Sequence, residues 1–172
     1  MNIYYIDIEE FKQTHDKKFL SKYNDKETKS EKRFLEYAIG RYLIKNVAKK
    51  IYKIADCEIV INKNGKPQFK NSNLNFSLSH SKDYVVVCFD ENACGIDIEF
   101  AKERNFEKLS QHYNENFVNA DEFYRFWTLK EATYKQHTPV KDYYTTLFKN
   151  NYYLTVTSEK IFEKPVEIIK FW

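Results

Sequence analysis

Apolar residues recur every three and four positions from residue 30 to 53 and alternate with polar ones in shorter runs elsewhere. The pattern predicts one long helix set among strands. Ser30-Glu31-Lys32-Arg33 opens that helix, with Ser30 as its N-cap. Phe34, Tyr37, Ala38, Tyr42 (beside Arg41), Ile44, Val47, Ala48 and Ile51 form its apolar face, running to about Lys53. Before it, Asn2–Glu9 alternates weakly and reads as a short strand, and residues 10–30 read as loop or broken helix.

Three strands are expected next. Glu58–Asn62 leads into the turn Asn64-Gly65-Lys66-Pro67. Leu74–Ser79 alternates strictly, with Leu74, Phe76 and Leu78 on one side and Asn75, Ser77 and Ser79 on the other. Tyr84–Phe89 is apolar nearly throughout, as a central strand is. Beyond a further strand at Gly95–Glu99, helices are predicted over 105–117 and 121–136. Asn151–Thr157 and Val166–Trp172 read as a closing hairpin of two strands. The order of helix, strands, helices, strands divides near Asn92–Cys94, so the expected fold is α+β. It consists of two similar fused lobes, residues 1–92 and 93–172, in one compact body.

Composition narrows the class. At 172 residues the chain can bury one good core or two small fused ones; 17% aromatics with three Gly and three Pro exclude a disordered or collagen-like chain. No run approaches the ~18 apolar residues of a membrane span, and the first residues have neither a basic leader nor a long apolar stretch. Cys57, Cys88 and Cys94 are odd in number and lack C-x-x-C spacing, as reduced thiols in a cytoplasmic protein would be. The net charge of +3 is uneven. Residues 17–70 hold 15 Lys or Arg against 6 Asp or Glu, and the remainder 13 against 19. That suits a polyanionic ligand gripped from both sides, or a merely solvated lysine-rich surface.

The candidate chemistry lies in two segments. On a strand, Asp97 and Glu99 leave one face while Ile96 and Ile98 face the other. Paired acids can be a solvent face, but this strand follows apolar Tyr84–Phe89 and is bounded by Cys94-Gly95, so it is expected to be central, where carboxylates need a partner such as Mg²⁺. On the second predicted helix Trp127, Glu131 and Lys135 form one stripe. Glu131 and Lys135 alone would be a surface ion pair, but an indole on the same stripe implies that it is half-buried, so Glu131 can join Asp97 and Glu99 at a metal. His80 shares the side of Leu78 by parity. It is either a core histidine or, at the strand end between Ser79 and Ser81, a donor to phosphate. Lys66 adds a cation in its turn, and Arg33 and Arg41 share a helix face.

Gly65-Lys66-Pro67, Phe76-x-x-Ser79-His80-Ser81, Gly95-Ile96-Asp97-Ile98-Glu99 and Trp127-Thr128-x-Lys130-Glu131-Ala132-x-x-Lys135 occur in this order. Together, over about residues 36–136, they resemble the 4′-phosphopantetheinyl transferases of the larger, two-lobed Sfp type. The resemblance implies two pseudo-twofold-related α+β lobes. It also implies transfer of 4′-phosphopantetheine from coenzyme A to a serine of an acyl or peptidyl carrier protein, with release of 3′,5′-ADP. By motif, Asp97, Glu99 and Glu131 would hold Mg²⁺, and Glu131 would also take the serine proton. Lys135 would neutralise the departing phosphate, and Lys66, Ser79 and His80 would contact the nucleotide phosphates. Glu36 stands where family members often carry an arginine to the 3′-phosphate, so Lys32, Arg33 or Arg41 would take that part. After Lys135, Gln136-His137-Thr138-Pro139-Val140 replaces the usual glycine-rich turn, and the second lobe would be minimal, with two tail strands instead of three. The expected protein is a monomeric, cytoplasmic enzyme of carrier-protein or fatty acid biosynthesis, binding neither nucleic acid nor membrane. Two other readings of the residues are a different metal-dependent phosphoryl-transfer or hydrolytic enzyme, and a nucleic-acid binder using residues 17–70.

Overall fold

The structure is a computed structural model that describes residues 1–172. It is a mixed α+β molecule of five helices and three sheets. Strand β1 (Asn2–Asp7) ends at Asp7, whose carboxylate accepts the amides of Glu9 and Glu10 and so turns the chain directly into helix α1 (Ile8–Thr14). A short helix α2 (Lys17–Ser21) and the long helix α3 (Glu31–Lys50) follow. Ser30 caps α3 as expected, accepting the amide of Arg33 at 3.3 Å. Strands β2 (Ile59–Ile61) and β3 (Pro67–Phe69) make a small hairpin around the Gly65 turn. There φ of +81° requires the left-handed region that glycine adopts freely.

The first sheet has the order β4-β5-β1-β9, built from β4 (Asn75–Ser81), β5 (Tyr84–Asp90), β1 and β9 (Glu167–Lys170). The apolar β5 is central, as its sequence predicts, with Val85 to Phe89 all buried. The second sheet has the order β6-β8-β7, from β6 (Cys94–Phe100), β7 (Asp142–Phe148) and β8 (Tyr152–Ser158). Helices α4 (Phe106–Tyr113) and α5 (Ala120–Gln136) lie between β6 and β7 in the chain. No helix is long and apolar enough to cross a membrane. The three cysteines are unbridged.

Three expectations from the sequence do not hold. The closing hairpin does not form: β8 pairs with β6 and β7, and β9 runs back to pair in parallel with β1. The tail has three strands and not two, because Asp142–Phe148 is a strand in addition to Tyr152–Ser158 and Glu167–Lys170. Finally, β6 is an edge of its sheet and not a central strand.

Two apolar clusters place the layers. On one face of the first sheet, Tyr4, Ile6, Val85, Val87 and Phe89 pack on Phe34, Ile39, Leu43 and Val47 of α3. On the other face, Ile3, Tyr5, Val86 and Cys88 pack on Ile96, Ile98, Leu154 and Val156 of the second sheet. The two sheets therefore share a core. The outer face of the second sheet, carrying Gly95, Asp97 and Thr155, is left to α5. There Thr128 Oγ1 meets Thr155 Oγ1 at 2.7 Å, and Ala132 is wholly buried.

Candidate active site

A free edge of β6 would leave every second amide without an acceptor, and a buried orphan amide is costly. Serines on β4 supply the acceptors. The amides of Ile96, Ile98 and Phe100 donate to Ser77 Oγ at 3.1 Å, Ser79 Oγ at 3.3 Å and Ser81 Oγ at 3.0 Å. The polar side of the alternating strand is thus a buried joint between the two sheets, with Ser77 and Ser79 nearly inaccessible.

Each acceptor still has a proton to give. Ser79 donates to Asp97 Oδ1 at 2.8 Å, and Ser81 donates to Glu99 Oε2 at 3.2 Å. The two carboxylates predicted to leave one face of β6 do so, and both are oriented from β4. Asp97 is buried, with Lys135 Nζ 2.7 Å from its Oδ1; the same ammonium donates to Ser79 Oγ at 3.0 Å. Ser79 is therefore fully engaged, its single proton on Asp97 and its lone pairs facing Ile98 and Lys135.

Helix α5 brings the rest. Trp127, Glu131 and Lys135 all lie half-buried along its length, as the indole on that stripe implies, while Thr128 and Ala132 on the neighbouring face are fully covered. Contact with β6 is unusually close because position 95 is glycine. A Cβ built there would fall 1.9 Å from the Ala132 carbonyl oxygen. Trp127 rests on Phe123 with the rings nearly parallel.

Burial first, and the neighbouring Asp97 second, raise the Glu99 carboxyl above its ordinary range; hydrogen bonds from Ser81 and Trp127 oppose this. A carboxyl raised on folding favours the folded state below its unfolded pKa, and that contribution is lost as pH rises through the folded value. At neutral pH without metal, Glu99 is thus held at a cost. Glu99→Gln is expected to stabilise the protein by about 0.5–1 kcal/mol near neutral pH, with the gain vanishing below about pH 4. Denaturant midpoints at the two pH values in chelator-treated buffer measure it. An equal gain at both would refute burial of the charge as its cause.

No three His, Cys, Asp or Glu side chains stand close enough together to hold a metal ion as they are. Asp97 nevertheless has a buried Oδ2 with no hydrogen-bond partner. An orphaned carboxylate oxygen beside a second acid is a place where a cation relieves both desolvation and repulsion. The all-oxygen donor set of Asp97, Glu99 and Glu131 suits a hard divalent ion. On both counts the donor chemistry fits such an ion, although the three carboxylates do not stand together as a ligand set and the Lys135 ammonium lies beside Asp97.

The nucleotide-contact candidates are more dispersed. Lys66 Nζ donates to the Cys94 carbonyl at 2.7 Å, and burial pulls its pKa below the ordinary lysine value. Its turn nonetheless shares a cleft with Ser77, Tyr134, Lys135 and His137. His80 lies on the Leu78 side of β4, as parity predicts, but at the strand end it remains 45% exposed. Its Nδ1 stands 3.5 Å from Glu36 Oε1. Burial lowers the imidazole pKa, with the Glu36 carboxylate opposing. Arg41 is held by Tyr37 at 2.9 Å and by Asp25, whereas Arg33 is exposed. Glu36 is the α3 side chain that meets His80. The signal for that meeting is its place one turn before Gly40, where α3 crosses Leu78 closely.

No family model matches the chain. Named relatives do. It is 33% identical over 114 residues to the 4′-phosphopantetheinyl transferase ffp of Bacillus subtilis, covering 57% of this chain and 50% of that protein. To Sfp of Bacillus subtilis strain 168 it is 27% identical over 111 residues, with the same two shares of 57% and 50%. To AcpT of Escherichia coli strain K12 it is 37% identical over 93 residues, 46% of this chain and 48% of that protein. In these three matches the chain spans about half the length of its relatives. Taken with the α+β fold, this makes the chain similar, at modest identity over about half its length, to proteins named 4′-phosphopantetheinyl transferases, Sfp-like ones of Bacillus among them.

Proposed function

We propose that this chain transfers 4′-phosphopantetheine from a coenzyme A-type donor to a serine of an acyl or peptidyl carrier protein. The observation that carries the reading is Asp97: buried, orphaned at Oδ2, and held at Oδ1 by Lys135. A site of this kind suits a pyrophosphate, which brings negative charge for the lysine and, with a cation, the missing partner for Oδ2.

The serine oxygen of the carrier would bond to the phosphorus next to pantetheine while the pyrophosphate P–O bond breaks. Coenzyme A would then release 3′,5′-ADP. Glu131 takes the serine proton, directly or through water. Lys135 turns from Asp97 to the departing phosphate and neutralises its charge. Asp97, Glu99 and Glu131 would hold Mg²⁺, which when bound offsets charge on the pyrophosphate. Ser79 and Ser81 keep the two strand carboxylates aimed at this place. The cleft by Lys66 and Tyr134 accommodates the base end of the nucleotide.

The test is incubation with coenzyme A, Mg²⁺ and a panel of apo acyl and peptidyl carrier proteins, read by the mass of the intact carrier. Loading is expected, and EDTA is expected to abolish it. A folded protein that binds coenzyme A yet loads no carrier, or that cleaves coenzyme A with no carrier present, would overturn the proposal.

A further inference from the structure

The corner of the molecule next to His80 is built of charges that already answer one another. Glu36 is buried, its side chain only 10% exposed, with Oε1 3.5 Å from His80 Nδ1 and 3.7 Å from Lys32 Nζ. It lines a cavity of about 340 Å³ whose other charged walls are Glu9, Lys12, Glu31, Lys32 and Lys82. Lys12 is paired with Glu9 at 3.1 Å, and Lys82 lies over the Phe100 ring, 3.9 Å from its centre. On the same helix, Arg41 is committed to Tyr37 and Asp25. Lys12 and Lys32 thus face carboxylates, Lys82 faces only a ring, and a carboxylate forms the buried wall of this corner.

A phosphate monoester placed against His80 would meet that carboxylate at close range. A hydroxyl would instead donate to it. The same exchange separates two dinucleotide classes in general: an acidic side chain accepts from a free ribose hydroxyl, whereas an arginine receives a phosphate in its place. His80 follows Ser79, which touches both Lys135 and Asp97. Ser79 and His80 leave opposite faces of β4, but His80 stands near the strand end, where the charges of Lys135 and Asp97 both act on its imidazole, so a nucleotide with its pyrophosphate at Lys135 has its sugar near His80 and Glu36.

We infer that Glu36 and His80 receive the donor's ribose with its hydroxyls free, so that this site takes a phosphopantetheine ester of 5′-AMP lacking the 3′-phosphate at least as well as coenzyme A. This rests on the transferase reading of the neighbouring carboxylates. The reaction is otherwise unchanged: the carrier serine O–P bond forms, the pyrophosphate P–O bond breaks, the proton goes to Glu131, and 5′-AMP leaves.

Two measurements on the intact protein test it. Calorimetric titration compares binding of coenzyme A and 3′-dephospho-coenzyme A without carrier, and the mass assay compares their kcat/KM as donors. Equal or stronger use of the dephospho donor is expected in both, and Glu36→Arg is expected to shift the ratio tenfold or more toward coenzyme A. A tenfold wild-type preference for coenzyme A in binding or transfer overturns the inference alone. Binding of both donors with no carrier loaded overturns the transferase reading, and the binding ratio still decides the inference. If neither donor binds, both fall.

Discussion

Glu131→Gln is expected to lower carrier loading by about a hundred- to ten-thousandfold while the protein stays folded. The side chain sits half-buried on α5 between Trp127 and Lys135 and directly precedes the wholly buried Ala132. Its backbone is consequently fixed by packing that the substitution does not touch. A carboxamide has nearly the same size, so the stripe keeps its shape. It cannot accept the serine proton, and as a neutral oxygen donor it is a poorer partner for a divalent ion. Turnover measured by carrier mass, with thermal midpoint as the control for folding, checks this. Activity within tenfold of wild type would mean that the base is another group.

Gly95→Ala is the second large effect, and it is one of architecture. The new methyl would lie 1.9 Å from the Ala132 carbonyl oxygen and 2.8 Å from Thr157 Oγ1. A helix carbonyl is held by its own hydrogen-bond ladder and cannot swing aside, so α5 must lift from β6. Overpacking of this kind is expected to cost about 3 kcal/mol or more. The 2.7 Å contact of Lys135 with Asp97 crosses the same interface and should loosen with it. Gly40→Ala is the informative control. Its methyl would meet Leu78 Cδ2 at 2.9 Å, the far end of a side chain that can rotate, and alanine gains up to about 1 kcal/mol of helix propensity. A change within about 1 kcal/mol is expected at Gly40. A Gly95→Ala protein with a wild-type denaturant midpoint would mean that the helix does not lie so close.

These two sites show which features are legible in the sequence. Local periodicity finds the helix from Glu31, its Ser30 cap and the apolar β5. It also finds the alternation of Asp97 and Glu99 with Ile96 and Ile98, and the half-buried stripe of α5. Each of these is written within a few residues. Long-range pairings are not. Ser77, Ser79 and Ser81 read as the polar side of a strand, and only the position of β6 reveals that they are buried acceptors. β7 escapes the pattern although Tyr143-Tyr144-Thr145-Thr146 carries the aromatic and β-branched residues that favour strands. Several of its residues are exposed at the sheet edge, which blurs the alternation. The parallel partner of β9 has no local signature, since nothing in Glu167–Lys170 names β1. The Glu36–His80 meeting is of the same kind, joining a helix and a strand that only tertiary packing brings together.

Strand β9 has a consequence for how the molecule is made. Asn2 to Tyr5 pair with Glu167 to Lys170, so the outer edge of β1 waits for a segment that leaves the ribosome after the whole second sheet. The first sheet cannot mature vectorially on its own; until then β1 presents open amides and carbonyls, the template on which strands of other chains add. Synthesis that stalls after β8 would leave Asp97 and Glu99 already in place on a molecule with one sticky edge.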